Sequence, residues 1–213
     1  TGRDWELCLV DDASPSARVR HTLAGLARRD PRIRVATRVV EAGNASASND
    51  ALARARGEFV ALHDPDAELQ PDALRAVDEA LRAEPDADFA YTDEDEIDAR
   101  GRHSGPVYKP DWSPERLRTQ PYTGHLSVLR TSLVDEVGRF DPGYEGAHHW
   151  DLVLRVTERA RRVVHVPRVL YHGPARPRRA TVPGGAGPRA LQAHCYRTGF
   201  PDRVDTDQEH PRV

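Results

Sequence analysis

The sequence predicts an α/β fold built on a parallel sheet, and three observations support this class. Short apolar segments alternate with segments of helical periodicity over residues 5–92, which is the order typical of parallel sheets with right-handed crossovers. Acidic residues directly follow three of the predicted strands. Hydrophobic residues make up 38% of the 213-residue chain, which is enough to fill the core of a domain of this size.

The elements of the first half follow each other in a regular order. Residues 5–10 (WELCLV) form a short apolar run that ends at an acidic turn, so they predict a buried strand. A helix is expected after Ser14, because Val19, Leu23 and Leu26 recur at helical spacing. The same two patterns predict further strands at 33–36, 58–62 and 89–92, and further helices at 45–55 and 71–83.

The second half of the sequence is less regular. A helix over 149–159 is indicated by Leu152, Val153 and Val156 on one face. Residues 163–170 predict an extended pair interrupted by Pro167. The remaining predicted elements are a strand at 126–130, a Pro-, Gly- and Arg-rich loop at 174–188 and a helix at 191–198.

Charge and composition exclude several functional classes. The formal net charge of −3 argues against electrostatic binding of nucleic acid, and no apolar run approaches the ~20 residues of a spanning helix. Two cysteines are too few for a disulfide framework. The chain contains no Met and begins at Thr1, so we expect a fragment or a processed product. Lys109 is the one lysine among 31 Lys and Arg residues, which makes it a candidate functional residue.

Charge is also segregated along the chain. Residues 84–98 carry eight acidic side chains and no Lys or Arg, whereas residues 155–179 carry eight Arg and one Glu. Two interpretations stay open: solvated faces, or a metal side and a phosphate side of one cleft.

The most informative segment is FVALHDPDAEL, in which an apolar strand is followed by Asp64 and Asp66. In extended chain, residues two apart point to the same side, so these two carboxylates would repel each other without a cation between them. Hard oxygen ligands of this kind suit Mn²⁺ or Mg²⁺, which commonly also bind substrate phosphates. Asp11/Asp12 and Asp93/Asp95 follow two other predicted strands, and in open α/β sheets that edge is where ligands bind.

Seven segments in order resemble the inverting family-two glycosyltransferases of the GT-A fold, in particular the bacterial O-antigen or rhamnan-type group. They are WELCLVDDASP, ASASNDALARARGEFVALHDPDAEL, FAYTDEDEID, KPDWSPERL, GHLSVLR, VGRFDPGYEG with WDLVLRV, and PRVLYH. The resemblance implies a Rossmann-like, mostly parallel sheet with helices on both faces and a smaller acceptor-side subregion. It implies one GT-A domain, with a nucleotide-sugar-binding half at 1–98 and an acceptor-binding half at 99–213. The family's central first strand has no counterpart before Trp5, so a gap in the sheet is expected.

The resemblance also implies roles for individual residues. Nucleotide binding is implied for Asp11, Asp12, Asn49 and Asp64, although Asn49 is also explained by helix packing. A metal site for Mn²⁺ or Mg²⁺ is implied at Asp64, Asp66 and His172, although His172 also fits an ordinary strand-end histidine. Contact with the sugar or acceptor is implied for Asp93, Glu94, Asp95, Lys109, Trp112 and Trp150. A solvated acidic turn and a core tryptophan are the competing interpretations of the acidic trio and of Trp112.

The position of the family's catalytic base is occupied by a histidine. Where the family has an acidic residue at the start of a helix, this chain has His148-His149-Trp150-Asp151-Leu152, which places His149 at the base position. Imidazole can accept a proton, but it cannot supply the negative charge of a carboxylate. Asp151 is expected to pair with Arg155 at helical i+4 spacing instead.

The implied function is metal-dependent sugar transfer, with inversion, from a nucleoside diphosphate sugar (UDP or dTDP) to a glycan or lipid-linked acceptor. The implied location is cytoplasmic, with peripheral contact to the inner face of the membrane as an option and no nucleic acid partner. One alternative is a catalytically weakened or inactive GT-A-like module that binds nucleotide or a partner. Another is a nucleotidyltransferase, which the absence of a Gly-rich phosphate loop at the start of the chain disfavours.

Overall fold

The computed structural model describes residues 4–175, 185–200 and 204. Eight strands are formed by these residues: β1 (Leu7–Asp12), β2 (Ile33–Arg38), β3 (Phe59–Ala61), β4 (Glu68–Leu69), β5 (Ala87–Ile97), β6 (His103–Val107), β7 (Ser127–Arg130) and β8 (Arg162–Pro174). Seven α-helices lie between and after them: α1 (Ala17–Arg29), α2 (Asn44–Leu52), α3 (Ala73–Ala83), α4 (Pro114–Thr119), α5 (Thr131–Glu136), α6 (His148–Thr157) and α7 (Ala186–Thr198).

The strands form two sheets. β1 and β2 pair in parallel as a two-stranded sheet, and the other six strands form the order β3-β7-β5-β8-β4, with β6 paired to β5. The α/β class is therefore confirmed, but the larger sheet contains both parallel and antiparallel pairs of neighbouring strands. β3, β5 and β8 run in one direction, as the alternation of the first half predicts, whereas β7 enters between β3 and β5 in the opposite direction. β5 pairs with β6, β7 and β8, so both halves of the chain contribute to this sheet.

β5 corrects one predicted boundary. The sequence ends this strand at residue 92, whereas the structure extends it to Ile97. Acidic residues have low strand propensity, but residues 94–97 here pair with β6 on one side and β8 on the other. Tertiary pairing therefore overrides local propensity and places all three acids of the 93–95 run inside the sheet.

β8 corrects another boundary, because it is one strand where the sequence predicts an interrupted pair. Thr92 lies opposite Val166 and Asp93 lies opposite Val169, so β8 advances three residues while β5 advances one. Pro167 falls in this bulge, where its missing N–H costs no ladder hydrogen bond. Part of the predicted loop at 174–188 lies outside the described residues, and its end, from Ala186, already belongs to α7.

Helices cover both faces of the six-stranded sheet, as predicted. On one face, Phe89 and Leu129 pack with α6, including Leu152 and Leu154, which are fully buried. On the opposite face, Ala90 and Val128 pack with a second cluster that contains the apolar side of α3. Neighbouring residues of β5 enter different clusters because successive side chains of a strand point to opposite faces.

Among the described residues, no helix has both the length and the apolar character that crossing a bilayer requires.

Candidate active site

A chain of contacts begins at Asp64, in the loop between β3 and β4. The side chain of Asp64 accepts a hydrogen bond of 2.8 Å from the hydroxyl of Tyr171 on β8. Asp64 and Asp66 are both exposed to solvent, as expected of carboxylates that would hold a cation together with a substrate. The loop thus presents the Asp-x-Asp pair at the carboxyl end of β3, where the sequence predicts it.

His125, which precedes β7, continues this chain of contacts. Its imidazole stacks on the ring of Tyr171 with a centroid separation of 5.3 Å, and its backbone N–H donates to Glu94 Oε2 at 3.1 Å. The side-chain hydrogen bond to Glu94 raises the pKa of His125 above its ordinary value, against the opposing effect of burial. The sequence carries His125 inside the segment GHLSVLR, but nothing in the local pattern singled it out.

Lys109 lies behind Glu94 and is buried. Its ammonium group donates to the carbonyl oxygens of Thr92 and Thr123, at 2.6 and 2.9 Å, and to Glu94 Oε2 at 3.0 Å. These three bonds use all three of its N–H donors. Its side chain is only 2% exposed, so the prediction that Lys109 faces an acceptor is wrong: it anchors Glu94 from inside the fold.

The environment of Glu94 keeps it ionised. Burial raises the pKa of this carboxyl, but the hydrogen bond from His125 and the charge of Lys109 outweigh burial and hold the pKa at about 2. Gly124 makes the close approach possible, because it has a φ of +75° and a Cβ there would overlap both Lys109 Nζ and Glu94. Glu94 is therefore a fixed negative charge close to His125 and Asp64.

His149 lies in the first turn of α6, beside this group of charges. The charges of Asp64, Glu94, His125 and His148 all act on its imidazole, so the candidate base is within electrostatic range of Asp64. Its Nε2 is buried and finds no hydrogen-bond partner among the described residues. Burial, with smaller contributions from the two neighbouring histidines, lowers the pKa of His149 to about 4. The ring is therefore neutral at pH 7, with a proton acceptor or donor available at Nε2.

This burial predicts a pH-dependent stability. The unfolded chain binds a proton at His149 below pH ~6.5, while the folded protein does so only below about 4, so stability falls as the pH is lowered through that window. As the pH is lowered from about 6.5 to about 4, we expect the free energy of unfolding of the parent to fall more steeply than that of His149→Gln. The difference between the two slopes should reach up to ~1.4 kcal/mol per pH unit. Urea unfolding of both proteins between pH 4 and 7 measures this difference, and parallel pH curves would contradict it.

The acidic trio of β5 is divided among three environments. Asp93 is buried, and its Oδ1 accepts from the backbone of Lys109 and contacts His165 Nε2, both at 2.9 Å. Glu94 faces His125, as described above. Asp95 contacts two other histidines, His103 and His172. The three carboxylates therefore do not form one cluster, because the alternation and bulges of β5 turn them to different neighbours, and their contact with the sugar or acceptor stays a prediction.

His172 is also placed differently from its prediction. Its Nδ1 lies 2.5 Å from Asp95 Oδ1, and Asp95, His103 and His172 form the one group of three potential metal ligands found among the described residues. Asp64, Asp66 and His172 do not form such a group among the described residues, so the structure gives no support to His172 as the third ligand of that set, and the metal site at Asp64 and Asp66 stays a prediction. His103 was missed because its ring reaches Asp95 only through the pairing of β5 with β6.

Of the four residues predicted to bind nucleotide, Asp64 lies after β3, and the other three lie on β1 and α2. Asp11 is buried, and its Oδ1 accepts from the backbone of Ser14 while its Oδ2 has no partner among the described residues. Asp12 accepts from the backbone of Gly43, before α2, and pairs with Arg38. Asn49 uses both ends of its amide on the backbone of Phe140, at 2.8 and 3.0 Å. The two hydrogen bonds to Phe140 are explained by packing of α2 and do not require a nucleotide. Asp11, by contrast, retains Oδ2 as an acceptor without a partner among the described residues.

Both tryptophans predicted at the acceptor pack against the core. Trp112 stacks on Tyr122 with a centroid separation of 6.5 Å. Trp150 donates from its indole N–H to the carbonyl of Leu117 at 3.0 Å. Both side chains therefore have a packing role, while their contact with an acceptor stays a prediction.

The predicted pair of Asp151 and Arg155 is confirmed, with 2.5 Å between Oδ2 and the guanidinium. Ion pairs with carboxylates also account for other arginines of the 155–179 segment. Arg159 pairs with Glu136, and Arg161 pairs with Asp88. Since these guanidinium groups already neutralise carboxylates, the described part of the segment does not support a phosphate-binding side.

Comparison with known proteins places this geometry in context. Residues 1–138 match the family model described as glycosyl transferase family 2. Protein y4gI of Sinorhizobium fredii is 42% identical over 204 residues, which cover 92% of this chain and 22% of that protein. The O-antigen biosynthesis protein RfbC of Myxococcus xanthus is 39% identical, over 92% of this chain and 16% of its own length. The chain therefore spans about a fifth of these two relatives.

Solved structures show the same fold at low sequence identity. S. aureus TarS, residues 1–349, superposes with a TM-score of 0.70 at 16% identity, covering 97% of this chain and 58% of that one. The complex of the same TarS region with UDP-GlcNAc gives a TM-score of 0.70 at 17% identity, covering 97% and 60%.

Proposed function

The chain belongs to glycosyl transferase family 2, and from this premise we propose that it transfers a sugar from a nucleoside diphosphate donor to a glycan or lipid-linked acceptor. The proposal is carried by one observation. The loop after β3, the middle of β5, the segment before β7 and the first turn of α6 bring Asp64, Glu94, His125 and His149 into one electrostatic neighbourhood. The cytoplasmic, membrane-peripheral location and the division at residue 98 stay predictions.

A nucleotide would find complementary groups at Asp11. A buried carboxylate oxygen without a partner is costly, and a ribose hydroxyl or a base N–H can satisfy it. The related fold of TarS has been determined with UDP and with UDP-GlcNAc, which favours a uridine nucleotide among the candidate donors.

The donor set at Asp64 and Asp66 fits Mn²⁺ or Mg²⁺, because both side chains are exposed carboxylates and hard oxygens suit these ions. A divalent ion, if bound by these two carboxylates, would supply positive charge to neutralise the negative charge that develops on the diphosphate leaving group. The hydrogen bond to Glu94, which raises the pKa of His125, favours the positively charged form of this imidazole beside the same loop. Tyr171 holds Asp64 in place from β8 through its hydroxyl.

His149 is the proposed proton acceptor. The acceptor hydroxyl transfers its proton to the unpartnered Nε2, while its oxygen forms a bond to the anomeric carbon of the donor. The bond from that carbon to the diphosphate breaks on the opposite face, and both electrons leave with the nucleoside diphosphate. The configuration of the sugar is inverted as a result.

A catalytically weakened GT-A-like module is the second candidate function, and one observation favours it. A pKa of about 4 makes His149 a weak proton acceptor, below the range near pH 7 that suits general bases. A protein of this second kind would bind nucleotide at the same place but turn over slowly.

Calorimetric titration with UDP and with dTDP, each with and without Mn²⁺, tests the donor site. We expect one of them to bind more tightly when Mn²⁺ is present, and we expect Asp64→Asn to lose most of this gain. Asp78→Asn is the matched control, because it removes a carboxylate of an exposed pair on α3. Absence of binding by both nucleotides in the presence of Mn²⁺ would overturn the donor-site assignment.

A further inference from the structure

We propose that Asp95, His103 and His172 bind a divalent transition-metal ion of the Zn²⁺ class, at a site separate from the Asp64 and Asp66 pair. Their candidate ligand atoms all lie within 4.8 Å of one another. Two imidazoles with one carboxylate form a ligand set of intermediate hardness, which suits Zn²⁺ or Co²⁺ better than Mg²⁺.

The backbone of three adjacent strands brings these side chains together. Asp95 on β5 lies directly opposite His172 on β8, so both side chains emerge on the same face. On the other side of β5, His103 of β6 lies opposite Ile97, two residues further along the same face as Asp95. The register irregularity of β5 between Glu94 and Glu96 lies at this point, and such bulges commonly re-aim a side chain.

The hydrogen bonds around the cluster orient both imidazoles toward one carboxylate. His103 Nδ1 lies 3.1 Å from Asp95 Oδ2, His172 Nδ1 lies 2.5 Å from Asp95 Oδ1, and the two rings meet edge to face at 4.4 Å. The Nδ1 atoms of His103 and His172 therefore both face the Asp95 carboxylate, so all three side chains could bind the same ion.

Gln70, which follows β4, supplies an outer contact of the kind found at metal-bound histidines. Its Oε1 lies 3.2 Å from His172 Nε2 and can only accept, so it suits the tautomer in which Nε2 carries the hydrogen. In that tautomer the lone pair of Nδ1, on the side of Asp95, is the one that an ion would bind, and the acceptor at Nε2 is the outer contact typical of a metal-bound histidine.

Exposure allows an ion to enter. The side chain of His103 is 48% exposed, while Asp95 and His172 are 11% and 7% exposed, so the site has one open side and two ligands held by the fold. Because the ligands come from β5, β6 and β8, a bound ion would also link β6 to the rest of the sheet.

Titration of the protein with Zn²⁺ and with Co²⁺, in the absence of nucleotide, tests this site. With millimolar Mg²⁺ present to compete at the Asp64 and Asp66 pair, we expect saturable binding of one further ion, with Co²⁺ giving the visible absorption bands of an imidazole-ligated ion. His103→Ala should weaken binding on the order of 10²-fold or more, and Gln70→Ala by about 10–100-fold, the range reported for outer contacts of metal ligands.

Two control variants separate this site from other sources of binding. His21→Ala removes an exposed histidine on α1, and Asp66→Asn removes a carboxylate of the proposed donor site; both should bind the ion as the parent does. An unchanged affinity in His103→Ala would overturn the proposal. Loss of binding in Asp66→Asn with retention in His103→Ala would also overturn it, and would assign the ion to the donor site. Neither result depends on whether the protein transfers sugar.

Discussion

Replacing His149 with Ala is expected to lower kcat for sugar transfer by about 10²–10⁴-fold, the range that a positioned general base contributes. The expected loss follows from the position of its unpartnered Nε2, which lies under the influence of Asp64 and Glu94 at the start of α6. Nucleotide binding should change little, because the predicted nucleotide contacts lie on β1 and on the loop after β3.

His149→Asp distinguishes the enzyme from the weakened module. If His149 already serves as an effective base, the aspartate variant should have at most the activity of the parent. A large gain in kcat over an almost inactive parent would instead support the module, because the carboxylate restores the residue type that the family has at this position. His21→Ala is a suitable control, since it removes an exposed histidine on α1, outside the candidate site. Equal kcat values for the parent and His149→Ala would contradict a role as the base.

Lys109→Met is expected to lower the free energy of unfolding by about 3–5 kcal/mol, the usual cost of breaking a buried ion pair by removing one partner. The substitution leaves Glu94 charged without its buried cation and deprives the carbonyls of Thr92 and Thr123 of a donor. Thermal unfolding should shift down by roughly 6–20 °C for a chain of this size. Chemical denaturation followed by circular dichroism measures the change in free energy.

A second substitution tests the cause of this loss. Glu94→Gln in the Lys109→Met background removes the unpaired charge, so we expect the double variant to regain part of the lost stability. Arg82→Ala breaks an exposed pair on α3 and should change unfolding little. A Lys109→Met protein as stable as the parent would show that the buried pair does not support the fold.

Local patterns were sufficient for much of the fold. The alternation of strands and helices over the first 92 residues predicted the elements from β1 to β5, apart from the two-residue strand β4. The i+4 spacing of Asp151 and Arg155 predicted their ion pair, and the apolar strand before Asp64 and Asp66 predicted where these carboxylates lie. Each of these predictions depends on residues within a few positions of one another.

The candidate site was harder to predict, because its residues belong to distant parts of the chain. Lys109 attracted attention as the one lysine, but its burial follows from contacts with Thr92 and Thr123, which no local pattern contains. His125 and His103 had no distinguishing local signal, and both acquired a place in the site only when β7 and β6 paired with β5.

The sequence by itself determined the α/β class, the order of the main elements and the presence of the Asp-x-Asp pair after β3. Hydrophobic periodicity and turn residues act over a few positions, so they can be recognised without knowing the fold. Only the tertiary structure decided which face and neighbour each polar side chain received. Register and bulges in β5 and β8 separated Asp93, Glu94 and Asp95 into a buried network, a charged site and a cluster with two histidines. A shift of one residue in a strand reverses the face of its side chains, so their chemistry depends on pairing across the whole sheet.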